Sequence, residues 1–173
     1  MRKQLLFRLL FIAFTAVSFG QNTSFGVTAG YVNGNAKLTI MGDKNSEGQS
    51  GLYGGITINN EITEKLHFAA DLVFMSIDGS NFLQAPLMIK FYPVNKFYLQ
   101  AGPQITYTLE EIFEDFTKFN IGAGAGVGFD ITSKVYVNAK YVFQLNNYFN
   151  GPDNAQITSK IDFFNAGLGY RFN

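Results

Sequence analysis

His67 is the single imidazole in a 173-residue chain that contains no cysteine. Histidine-based acid–base or nucleophilic chemistry, as in a lipase-like site, would have to run through His67 with a nearby serine or acid, and the spacing sets no serine beside it. A thiol nucleophile and a Cys-based zinc site are ruled out. Glu110, Glu111, Glu114 and Asp115 bring four carboxylates close together, yet the ordered ligand spacing of a calcium loop is missing. They read instead as a solvated loop with an apolar anchor. If that stretch is a short helix, Leu109, Ile112, Phe113 and Phe116 share one side of it. No cofactor site is expected.

The stretch "FNIGAGAGVGFDI", residues 119–131, raises the question of a phosphate-cradling loop. A dinucleotide fingerprint needs G-x-G-x-x-G between a strand and a helix. Here Gly122, Gly124, Gly126 and Gly128 keep a strict spacing of two. Period two is strand geometry, with alternate side chains on opposite faces. One face is then apolar and ends in aromatics, and the other is nearly bare.

Such segments recur along the chain. About eight are read, over 24–33, 51–60, 65–77, 82–92, 96–107, 119–130, 134–145 and 161–172. Pro86 and Pro103 fall inside two of them and predict bulges or irregular ladders. The connections alternate in length. Residues 34–50, 108–118 and 146–160 read as long polar loops, with "DGSN" at 78–81 the short exception on that side. "NEITE", "PVNK" and "ITSK" are short links on the other. This is the pattern of an up-and-down antiparallel sheet whose two ends face different environments.

Composition agrees with an all-β chain outside water. Charged residues make up 15% and aromatics 16%, with 19 Phe, 9 Tyr and 18 Gly against 4 Pro. A soluble domain carries roughly 25% charge. Nothing speaks for nucleic acid. Arg2, Lys3 and Arg8 precede an apolar run, and Ser18 and Gly20 follow it, which reads as a secretory signal peptide over 1–20. Removing those three cations from 13 basic residues leaves 10 against 13 acidic ones, a formal −3. Residues 21–173 then form one domain.

Two barrels fit the alternation. A soluble lipocalin-like ligand binder has its apolar face inside, whereas a membrane barrel turns that face to lipid. The polar stripes are rich in Gly, Asn, Gln and Thr, with single charges, and lack the dense Lys and Glu of a solvated surface. Phe97 to Tyr107, and Phe119 to Phe129, span ~33 Å of strand, or about 25 Å vertically at a tilt of roughly 40°. That matches the height of a lipid-facing band. The expected fold is an antiparallel up-and-down transmembrane β-barrel of eight strands, located in the outer membrane. Asp71, Lys90, Gln100, Gln104, Asp130, Lys140 and Arg171 are expected to form an internal polar network. The four glycines of 122–128 are expected to relieve crowding there.

The segments "APLMIKFYP", "NKFYLQAGPQITY", "FNIGAGAGVGFDI" and "AGLGYRF" resemble the small outer-membrane barrels called PorT-like or porin-family proteins, of the OmpA/OmpX type. The resemblance covers nearly the whole chain after the leader. It implies outer-membrane lipid as surroundings and recognition by the outer-membrane assembly machinery through a terminal aromatic strand. Tyr170 and Phe172 match that signal, with Asn173 following. The expected role is a non-enzymatic scaffold presenting loops 34–50, 108–118 and 146–160 to an extracellular ligand. The alternatives are narrow porin-like passage of small solutes and a lipid-modifying enzyme centred on His67.

Overall fold

The computed structural model describes residues 22–112, 115–151 and 157–172. The signal-peptide reading over 1–20 lies outside them, as do Phe113, Glu114 and Asn173. Eight strands run β1 Thr23–Ile40, β2 Asp43–Thr63, β3 Leu66–Ile77, β4 Ser80–Val94, β5 Phe97–Thr108, β6 Phe119–Asp130, β7 Val135–Gln144 and β8 Ile157–Arg171. Each pairs antiparallel with the next, and β8 returns to β1 to close the barrel. Closure leaves no open edge within the closed band, which an apolar medium demands because it cannot satisfy free backbone groups.

Local chemistry sets the turns. Asp78–Gly79 has φ of 45° and 83°, and Met41–Gly42 has 50° and 97°. Positive φ at both central positions matches the right-handed twist of a hairpin, and Asp-Gly suits it. At the opposite end, "ITEK" and "ITSK" share one device. Thr63 Oγ1 accepts from the Leu66 amide at 3.1 Å, and Thr132 Oγ1 accepts from the Val135 amide at 3.0 Å. A hydroxyl closing the turn on its own backbone keeps these links short.

Residues 34–50 differ from their reading as a long loop. β1 and β2 run on in unbroken register from Asn33↔Ser50 to Ile40↔Asp43, so the segment is a protruding hairpin. Ala36, Leu38 and Ile40 of β1 stand opposite the polar Glu47, Asn45 and Asp43 of β2, which hides the period of two, while the Met41–Gly42 turn and the backbone ladder hold the strand. β8 likewise begins earlier than its apolar stripe, at Ile157. The helical reading of 109–116 is also replaced. Leu109–Ile112 forms no helix, and Phe116 makes an isolated bridge to Phe149 with ring centroids 5.6 Å apart.

The two prolines interrupt ladders without shifting register: β4–β5 pairing skips from Pro86↔Gln104 to Ile89↔Ala101. Register shifts fall elsewhere, at Glu61/Thr63 and Phe91/Val94.

The alternation resolves cleanly by face. Leu83, Leu87, Ile89, Phe91, Leu99, Ile105, Ile121 and Val127 are exposed on the outer wall. Phe97 lies opposite Phe129, and Tyr107 opposite Phe119, so the aromatics form two belts separated by an apolar band.

Candidate functional site

The barrel interior is the densest collection of polar chemistry, and its floor is aromatic. Tyr98 stands opposite Gly128, Tyr136 opposite Gly169 and Tyr53 opposite Gly30. In each case the ring lies over the bare backbone across from it. A methyl group built on Gly128 would enter the Tyr98 ring, and one on Gly169 would enter Tyr136. A methyl group on Gly124 would come within 3.0 Å of Met88 Cε, and one on Gly122 within 2.8 Å of Val142 Cγ1. Gly126 is closed in by the backbone of Ala139 and Lys140. Glycine thus makes room for large inward side chains on neighbouring strands.

Cations lie among these rings. Lys90 is 3% exposed. Its Nζ sits 5.0 Å from the Tyr98 ring centre and 5.2 Å from that of Tyr136, and it donates to Asn59 Oδ1 at 3.3 Å. Arg171 stacks over Tyr136 at 4.7 Å and pairs with Asp130 at 2.8 Å. Tyr92 donates to the other Asp130 oxygen at 3.1 Å. Cation–π contact and ion pairing together satisfy charges that burial would otherwise penalise. Lys140 approaches Asp71 at 3.9 Å. Gln104 donates to Thr106 at 3.3 Å. Gln100 stands apart, with its amide nitrogen unpartnered among the described residues.

His67 faces inward, with Nδ1 3.3 Å from the Asn59 amide nitrogen and its ring 4.6 Å from that of Tyr92. It belongs to the packed network. Tyr53, Tyr92, Tyr98, Tyr136 and Asn59 complete that network and are not among the residues the sequence reading assigns to it. The available signal was an inward tyrosine one ladder step from a glycine. Tyr170 and Phe172 point outward at the short-turn end, with ring centroids 5.9 Å apart.

Toward the long-loop end the interior changes character. Val32, Met75, Ile77, Phe82, Val142 and Phe163 pack into a buried apolar layer, in which the Phe82 and Phe163 rings meet edge to face at 5.9 Å. Above it, residues 115–118 and 145–151 are tied together. The Thr117 amide donates to Tyr148 O at 2.9 Å, and the Asn150 amide to Asp115 O at 2.7 Å. The Tyr148 hydroxyl bonds Thr108, and burial raises its phenol above the ordinary tyrosine value. Glu110 accepts from Asn81 at 2.8 Å.

On the outer wall, Asp162 Oδ2 accepts from Lys37 Nζ at 2.5 Å and from the Tyr141 hydroxyl at 3.3 Å. Its Oδ1 accepts from the Gln144 amide at 3.0 Å. The hydrogen bond to Asp162 holds the Lys37 amine above the ordinary lysine value.

No protein-family model matches the chain, and no curated protein matches it in sequence. Solved structures do share its fold. Neisserial surface protein A is 18% identical with a TM-score of 0.52, covering 88% of this chain and 100% of that one. Ail, the attachment invasion locus protein of Yersinia pestis, is 13% identical with a TM-score of 0.50, covering 88% and 100%. At these identities the likeness establishes the barrel fold.

Proposed function

We propose that this chain is an outer-membrane β-barrel of the PorT-like kind, exported by its leader, whose work is done by its rim. The observation that carries the reading is the division between the two faces. An exposed apolar band between aromatic belts suits lipid, and the interior is filled by its own side chains, as an eight-stranded barrel's should be. Insertion would use the assembly machinery acting on the last strand, with Tyr170 and Phe172 as its aromatic signal. Outside, the 34–50 hairpin and the tied loops 108–118 and 146–160 form the surface offered to a ligand.

Passage of small solutes is the weaker reading, because the apolar layer around Phe82 and Phe163 lies across any route through the barrel. Enzymatic activity is weaker still, since the described partners of His67 are an amide and a phenol ring. Single-channel recording in planar bilayers tests this: the folded chain should insert without discrete conductance steps. Sustained ohmic openings would favour the solute pathway. Altered outer-membrane lipid that reverts in His67→Ala would favour an enzyme.

A further inference from the structure

Beyond the closed barrel, β1, β2 and β8 continue as a three-stranded sheet whose outward face concentrates amines and hydroxyls. Lys37 stands directly opposite Ser46 on β2 and Lys160 on β8. Two residues further, Thr39 stands opposite Lys44 and Thr158. These six side chains line one groove of about 480 Å³.

Like charges directly opposite one another in an antiparallel pair cost stability, so the Lys37–Lys160 pairing calls for an anion. Asp162 supplies one carboxylate to Lys37 and is otherwise occupied by Tyr141 and the Gln144 amide. No carboxylate among the described residues lies in ion-pair reach of Lys44 or Lys160. Asp43 and Glu47 alternate onto the other face of β2. The groove is left with two uncompensated positive charges.

Its height and direction identify the partner. Lys37 is four residues beyond Asn33, which lies opposite the outward Phe164. At ~3.3 Å per residue and a tilt of roughly 40°, that is about 10 Å above the aromatic rim. The face continues the same parity as the lipid-contacting wall, through Tyr31 and Asn33, and so looks sideways into the headgroup layer. We infer that this groove binds phosphate groups of the glycolipid headgroups of the outer leaflet. Lys37, Lys44 and Lys160 provide charge, and the hydroxyls of Thr39, Ser46 and Thr158 donate to phosphate oxygens. The inference rests on the outer-membrane reading above.

The test uses the chain folded in uncharged detergent and titrated with purified lipopolysaccharide, with chemically dephosphorylated lipopolysaccharide, with inorganic phosphate and with heparin. Lys37→Gln, Lys44→Gln and Lys160→Gln are combined in one variant. A control variant carries Lys65→Gln, Lys96→Gln and Lys134→Gln, which remove the same charge at the short-turn end. The groove variant should bind lipopolysaccharide roughly a hundredfold more weakly, about fivefold per charge removed. The control variant should bind like the parent, and dephosphorylated lipopolysaccharide should bind the parent as weakly as the groove variant binds the intact form. Inorganic phosphate should compete only at far higher concentration. Equal affinity of both variants, or insensitivity to dephosphorylation, would overturn the inference. So would free phosphate or heparin binding the groove as tightly as lipopolysaccharide. Each chain is first checked for a boiling-dependent gel shift. Its absence in the parent would remove the barrel reading itself, whereas a normal shift with no loss of binding would remove only the groove.

Discussion

Tyr98 lies flat across Gly128, its direct partner on the neighbouring strand, and the pair lies beneath the Lys90 ammonium. The same arrangement joins Tyr136 to Gly169 and Tyr53 to Gly30. It accounts for Gly128 in the run of alternating glycines, where bare backbone is the berth for a ring on the next strand, while Gly122 and Gly124 make room for Val142 and Met88.

Gly128→Ala should therefore destabilise the barrel by about 1–3 kcal/mol through overpacking. In a Tyr98→Ala background the same change should cost much less, because the ring it strikes is gone. Denaturant unfolding of the four chains in detergent completes the cycle. Additive effects would show that Gly128 matters for some other reason.

On the opening run itself, Gly124→Phe should impair folding into micelles far more than Ala125→Phe. Gly124 faces Met88 and Val142, while Ala125 points outward. Equal damage from both would contradict the assignment of faces.

Asp130→Asn should cost about 3 kcal/mol, since it leaves the Arg171 guanidinium inside the barrel without its anion. Combining Asp130→Asn with Arg171→Met should recover part of that loss. Unfolding midpoints at low and high salt would check it, and a salt-independent loss is expected for a pair this shielded.

Replacing both Phe82 and Phe163 by serine removes the edge-to-face contact in the apolar layer and admits water. Small conductance steps should then appear that the parent lacks. A silent double variant would mean that the loops above, tied through Tyr148, close the mouth by themselves.

Lys37 gives a pH signature outside the membrane band. Its amine is raised by the hydrogen bond to Asp162, so the contact's contribution is complete below the ordinary value of 10.5 and is lost as pH rises through the raised one. Hydrogen-exchange protection at the 34–50 hairpin, corrected for the base-catalysed intrinsic rate, should be flat across neutral pH and fall only under strongly alkaline conditions. In Asp162→Asn the alkaline step should disappear, because the Lys37 amine then titrates near the ordinary lysine value in the folded and unfolded chain alike. An unchanged step would place the titrating group elsewhere.

Much of this architecture is legible in the chain because a membrane barrel writes its period of two in apolar residues. The stripe Phe97, Leu99, Ala101, Ile105 and Tyr107 is visible wherever one face meets lipid. That signal stops where lipid stops. Beyond Asn33 the outward face of the β1–β2 hairpin is polar and the inward Ala36, Leu38 and Ile40 are matched only by polar residues on β2, so its ladder to Ile40↔Asp43 leaves a hydrophobic trace on one strand alone. The interior was legible as a set of inward residues but not as a set of partners. Which glycine receives which tyrosine depends on register between strands, and register is not written in either strand alone. The apolar layer around Phe82 and Phe163 escaped because most of its members are single apolar residues on faces that otherwise read as polar.

The measurement that tests the account most directly is gel migration of the chain from isolated outer membranes, boiled and unboiled. A closed barrel embedded in lipid should sit in the membrane fraction and run as a compact band that shifts on boiling. A soluble periplasmic protein with no shift would contradict the account, because the apolar wall of Leu52, Leu87 and Leu168 would then have no lipid to cover it.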